Sequence, residues 1–126
     1  MARILVVEDD ADNQELVTRF LRREGHRVIN ALDGFAGVKE ASEQIPDLIL
    51  MDLGLPGMDG WEASRRIRAD PDTSRIPIIA LTAHAFTGEV AKAIEAGIDS
   101  YELKPVVYQR LMEKIAEALH RRRPAA

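Results

Sequence analysis

The chain has 126 residues, 17 of them lysine or arginine against 21 aspartate or glutamate, for a net charge of −4, and no cysteine. Its length suits one domain with a proper core, and its charge invites neither a phosphate backbone nor an anionic membrane. The missing cysteine excludes disulfides, thiolate catalysis and Cys-ligated zinc, while the lack of a bilayer-length apolar run or signal-peptide layout makes a soluble, cytoplasmic domain the expectation.

Arg3 to Val7 reads as a short apolar strand, closed by Glu8-Asp9-Asp10. Asp12 with Glu15 forms a capping pattern, and Asn13, Leu16, Val17, Phe20 and Leu21 then share a helical face that Gly25 ends. His26 to Ala31 gives a second strand, and Asp33-Gly34 opens a helix with Phe35, Val38 and Ala41 inward. The stretch from Asp47 to Gly60 is the most informative. Leu48 to Met51 is an unbroken apolar run, the pattern of a strand buried on both faces. It stops at Asp52, a Gly/Pro-rich loop follows, and Asp59 offers a helix cap with Glu62 three residues on. Taken alone, Asp52 reads equally well as a turn former.

The helix after Asp59 carries Ala63 and Ile67, with Trp61 and the arginines at 65, 66 and 68 read as solvated surface. Asp70-Pro71-Asp72 breaks it, and Ile76 to Leu81 makes a fourth strand that tolerates Pro77 only near its start. Thr82 stands at that strand's end. Thr87-Gly88 leads into a short fourth helix with Val90, Ala93 and Ile94, closed by Gly97. Ser100 to Leu103 is a fifth strand ending in Lys104-Pro105, and a last helix places Val107, Leu111, Ile115 and Leu119 in one stripe.

Five strands alternating with five helices argue an α/β fold, a doubly wound parallel sheet with helices on both faces. With strand order 2-1-3-4-5, the crevice lies where strands 1 and 3 diverge, outside their carboxyl ends. That brings Glu8, Asp9 and Asp52 together, with Thr82 and Lys104 arriving from strands 4 and 5. Any one of these alone is more often a cap, a turn former or a solvated side chain; their coincidence at successive strand ends is the signal. Clustered carboxylates need a cation or raised pKa values, and hard oxygen ligands without His or Cys suit Mg²⁺, Mn²⁺ or Ca²⁺. A carboxylate beside such an ion can attack a phosphoryl group, with Lys104 and the Thr82 hydroxyl taking phosphoryl oxygens.

At these residues the chain resembles the receiver domain of two-component response regulators. The markers are Val6-Val7-Glu8-Asp9-Asp10, Met51-Asp52-Leu53-Gly54-Leu55-Pro56-Gly57-Met58-Asp59-Gly60, Ala80-Leu81-Thr82-Ala83 and Tyr101-Glu102-Leu103-Lys104-Pro105, and the likeness runs from Arg3 to about Leu119. The resemblance implies a (βα)5 flavodoxin-like fold in which Asp52 accepts the phosphoryl group of a phosphohistidine. It implies Mg²⁺ (Mn²⁺ possible) bound by Asp9, Asp52 and the Gly54 carbonyl, with Glu8 acting mostly through water. Thr82 and the Ala83 N–H would hold phosphoryl oxygens, Lys104 would pair with one, and the Lys104-Pro105 bond would be cis. Thr82 and Tyr101 would form a switch that reshapes the face made by the fourth predicted helix, the fifth strand and the last helix.

Glu8 stands where the family more often has Asp. Gly54 and His84, two residues past Asp52 and Thr82, are expected to set how long the phosphoryl group survives, a property read from its decay rate. The expected organisation is a receiver over residues 1–122, a short tail over 123–126 and no output domain. Expected partners are a sensor histidine kinase or histidine phosphotransfer protein, the kinase docked at helix 1 beside the crevice, and a downstream protein. No nucleic acid or membrane is expected, and the domain would be a monomer or a phosphorylation-dependent dimer. It would be a signalling switch rather than an enzyme. A phosphate-ester hydrolase would want a second acid where Gly54 stands, and an FMN binder would not place three acids after strand 1.

Overall fold

The computed structural model describes residues 1–83, 92 and 95–121. Its elements are β1 (Arg3–Val7), α1 (Ala11–Arg23), β2 (Arg27–Ala31), α2 (Gly34–Gln44), β3 (Leu48–Asp52), α3 (Gly60–Ala69), β4 (Ile78–Thr82), β5 (Ser100–Leu103) and α4 (Tyr108–His120). His84, much of the fourth predicted helix (87–91, 93 and 94) and residues 122–126 lie outside the described residues.

The five strands pair in parallel in the order β2-β1-β3-β4-β5. The expected doubly wound α/β sheet is therefore the observed one. Along each strand, alternate side chains enter opposite cores. Leu5, Val7, Ile49, Met51, Ile78 and Ala80 pack with Ala41, Ala63 and Ile67 of α2 and α3. Ile4, Val6, Leu48, Leu50, Ile79 and Leu81 pack with Val17, Leu21, Leu111 and Ile115 of α1 and α4. Burial on both faces is why these strands read as apolar runs without alternation.

The caps show how the helices are entered. Asp33 and Asp59 accept from the N–H groups of Ala36 and Glu62, at 2.7 and 2.9 Å, as expected. For α1 the cap is Asp10, not Asp12, with Oδ1 accepting from the N–H groups of Asp12 and Asn13. The inward face is correspondingly Gln14, Val17, Thr18 and Leu21, leaving Asn13 and Leu16 exposed. Phe35 is also exposed rather than inward. Helix α2 approaches the sheet too closely for it: a Cβ at Gly37 would lie 2.9 Å from a Val7 methyl, so Gly34, Gly37 and Ala41 take the buried positions.

Two surface assignments are corrected. Trp61 is 8% exposed within the core, with the Lys92 ammonium 4.8 Å above its ring. Arg68 is a half-buried strut, donating to the carbonyls of Gly97, Ser74 and Ile76 and to Asp99. Loop carbonyls brought together at the α3 end of the sheet need donors, and one guanidinium supplies them.

Candidate functional site

After β1 the chain turns to α1 on one face of the sheet, and after β3 it turns to α3 on the other. A crevice opens between the two strand ends, as it does at topological switch points. Asp52 is the last residue of β3 and 4% exposed. Its Oδ1 accepts from the Gly54 N–H at 2.9 Å and its Oδ2 from Lys104 Nζ at 3.1 Å. Glu8 follows β1 and is 2% exposed. Its Oε2 shares the same ammonium at 3.2 Å, and its Oε1 accepts from Asn13 Nδ2 at 3.1 Å. Lys104 reaches both acids because β5 delivers it beyond Thr82, whose carbonyl accepts from the Lys104 N–H at 2.7 Å. The Lys104–Pro105 bond is cis.

Carboxylate oxygens of Glu8, Asp9 and Asp52 all lie within 4.8 Å of one another, with Asp9 exposed at the mouth. Burial, reinforced by Asp52 next door, pushes Glu8 up to about 7. Burial would raise Asp52 too, but hydrogen bonds from Glu8, the Gly54 N–H and Lys104 hold it below the usual carboxylate value. For Lys104, burial alone would favour the neutral form; its two acid partners win, and its pKa rises. Below about pH 7 the two acids therefore keep their proton on Glu8 and leave Asp52 ionised. Three carboxylates face one ammonium, all donors are hard oxygens, and neither His nor Cys is in the cluster. This donor set fits a divalent cation of the Mg²⁺ kind.

Of the expected site residues, the structure brings together Glu8, Asp9, Asp52, Gly54 and Lys104. Thr82 ends β4, nearly buried, with Ala83 exposed just beyond it. Tyr101 is 40% exposed on β5, on the outer side. Beside the acids, a cleft of about 540 Å³ is lined by Glu8, Asn13, Leu16, Lys104, Pro105 and Tyr108 among others. Sequence reasoning passed over three contributors. Asn13 holds Glu8, and Gln14 Nε2 reaches the carbonyls of Val6, Glu8 and Ala31. Gly60 is required by close approach, since a Cβ there would lie 2.3 Å from the Asp52 carbonyl oxygen. The Asx cap at Asp10 carried the signal for the first two, because it sets the phase of α1.

A family model for the response regulator receiver domain matches residues 4–116. The chain belongs to that family: it is a receiver domain of two-component signalling. It is 42% identical over 121 residues to the transcriptional regulatory protein AfsQ1 of Streptomyces coelicolor, covering 96% of this chain and 52% of that protein. It is 37% identical to the sensor protein GacS of Pseudomonas syringae, covering 90% of this chain and 13% of that one. The chain thus spans about half the length of AfsQ1 and far less of GacS. Among solved structures, the receiver domain of the sensor histidine kinase PA1611 of Pseudomonas aeruginosa superposes with a TM-score of 0.87 at 39% identity. That likeness covers 94% of this chain and 98% of the other, which holds a magnesium ion in its active-site cleft. Among the described residues no helix is long and apolar enough to cross a membrane.

Proposed function

We propose that Asp52 accepts a phosphoryl group from the phosphohistidine of a sensor histidine kinase or histidine phosphotransfer protein. The observation that carries this is geometric: Asp52, at the C-terminal end of β3, has carboxylate oxygens within 4.8 Å of those of Glu8 and Asp9, and the half-buried Lys104 ammonium lies 3.1 Å from its Oδ2. An Asp52 oxygen attacks phosphorus, the P–N bond breaks, and the imidazole leaves with the electron pair and takes up a proton. The product is an acyl phosphate on Asp52. Asp9, Asp52 and the Gly54 carbonyl would hold Mg²⁺ or Mn²⁺, with Glu8 acting through water. When bound, the ion draws charge from the phosphoryl oxygens. Lys104 neutralises one of those oxygens, and the Thr82 hydroxyl and Ala83 N–H donate to others.

The domain spans residues 1–122 and works as a cytoplasmic switch whose only chemistry is its own phosphorylation and dephosphorylation. Thr82 moves toward the phosphoryl group and Tyr101 turns inward, which reshapes the face containing β5 and α4. A downstream or relay protein reads that face, and the histidine donor docks at α1 beside the 540 Å³ cleft. A net charge of −4 supports protein rather than nucleic acid as what this domain itself touches.

Intact mass after incubation with acetyl phosphate tests the reading. One phosphoryl adduct is expected with Mg²⁺, none with EDTA, and none in Asp52→Ala under either condition. An adduct of equal yield in Asp52→Ala would refute it.

A further inference from the structure

Every polar group of Glu8 is held. Its backbone N–H donates to the Ala31 carbonyl at 3.0 Å, and its own carbonyl accepts from Gln14 Nε2 at 3.3 Å. Its carboxylate is pinned at both oxygens, by Lys104 Nζ on Oε2 and by Asn13 Nδ2 on Oε1. Gln14 is anchored in turn, its Oε1 accepting from Asn30 Nδ2 at 2.5 Å. The Asn13 contact differs from the others. Asn13 is exposed, its backbone N–H is already satisfied by Asp10 Oδ1, and no core packing depends on its side chain. Its amide has one structural task in the site, and that task is Glu8.

We propose that Asn13 is a positioning residue for the acid cluster, holding the Glu8 carboxylate beside Asp9 and Asp52 so that the cluster binds Mg²⁺ tightly. The inference rests on the metal reading above and goes beyond it. Glu8 has a longer side chain than an aspartate would, and Mg²⁺ tolerates little departure from octahedral geometry. A ligand shell with a loose acid binds more weakly, and losing an outer-shell partner typically lowers metal affinity about 10–100-fold. The need is greatest during the proposed transfer. When Lys104 turns to the incoming phosphoryl oxygen, Asn13 is the side-chain donor left on Glu8.

Calorimetric titration of MgCl₂ into the wild type, Asn13→Ala, Glu8→Ala and the double variant tests this. Asn13→Ala should weaken Mg²⁺ binding roughly tenfold, measured where both proteins are fully folded. In the Glu8→Ala background the same substitution should change nothing. Wild-type affinity in Asn13→Ala overturns the proposal, as does an equal loss in both backgrounds. If the wild type itself takes no Mg²⁺, the metal reading falls as well, a result distinct from a wild type that binds and a variant that matches it.

Discussion

Glu8 and Glu102 are both almost fully buried glutamates in the same sheet, and the protein treats them in opposite ways. Glu8 has a donor on each carboxylate oxygen and a second acid close by. Glu102 lies on β5 in register with Leu81, 3% exposed, and faces Arg110 and Lys114 of α4. Its Oε1 has no hydrogen-bond partner, and its nearest cations, Lys114 and Arg110, stand off at 3.7 and 3.8 Å. Lys114 is engaged elsewhere, donating to the Tyr101 carbonyl at 2.5 Å and lying 5.3 Å over that ring. A buried carboxylate is stabilised when its hydrogen bonds are complete and is a burden when they are not. The crevice gives each Glu8 oxygen a donor and still pushes its pKa up to about 7, while the β5 edge leaves Oε1 of Glu102 without a hydrogen bond.

The sharpest way to break the comparison is to remove the cation that Glu8 and Asp52 share. Lys104→Met leaves two nearly buried carboxylates facing each other. Urea unfolding in EDTA at pH 8 should show a loss of about 3 kcal/mol, recovered as acid neutralises the pair. An unchanged midpoint would mean that solvent already screens the crevice.

The next largest effect has the opposite sign. Glu8 titrates near 7 in the fold against an ordinary value of 4.5. Between those values the unfolded chain ionises Glu8 while the folded one keeps its proton, so stability falls as pH rises through that window. Below 4.5 the penalty is absent. Asp52, held below its ordinary 3.8, works in the opposite sense: its stabilisation is lost only as pH falls below that value, so the two windows do not overlap. Glu8→Gln in EDTA should therefore match the wild type near pH 4.5 and exceed it by on the order of 2 kcal/mol at pH 8. A gap independent of pH would remove the electrostatic account of the site.

The chain displayed one half of this comparison far better than the other. The strands were legible because burial on both faces turns each into an apolar run, and the site acids because they interrupt those runs at strand ends. Lys104, 96 residues from Glu8, became legible only through the parallel topology, which places successive strand ends together. Helix phase hid Asn13 and Gln14. Read as amphipathic, α1 turns Leu16 inward, whereas the cap at Asp10 and the hydrogen bonds of Gln14 turn Gln14 and Thr18 to the sheet beside Val17 and Leu21. Arg68 and Gly60 were obscured for a related reason: loop carbonyls that need a donor, and a backbone that passes within Cβ distance, exist only once the chain is packed.

The smallest of these expected effects sharpens the comparison from the Glu102 side. Glu102→Leu removes a buried carboxylate whose Oε1 has no hydrogen bond and puts apolar surface on the strand paired with Leu81. Replacing a poorly paired buried charge by a hydrophobic residue of similar volume is commonly neutral or stabilising. Urea unfolding at pH 7.5 should show a gain of about 1 kcal/mol, with phosphorylation by acetyl phosphate still requiring Asp52. A loss of similar size would show that Arg110 and Lys114, distant as they are, stabilise Glu102 in place, and the two glutamates would then differ in degree only. A gain would leave Glu102 as an acid retained against stability, on the strand that carries Tyr101 and leads into Lys104.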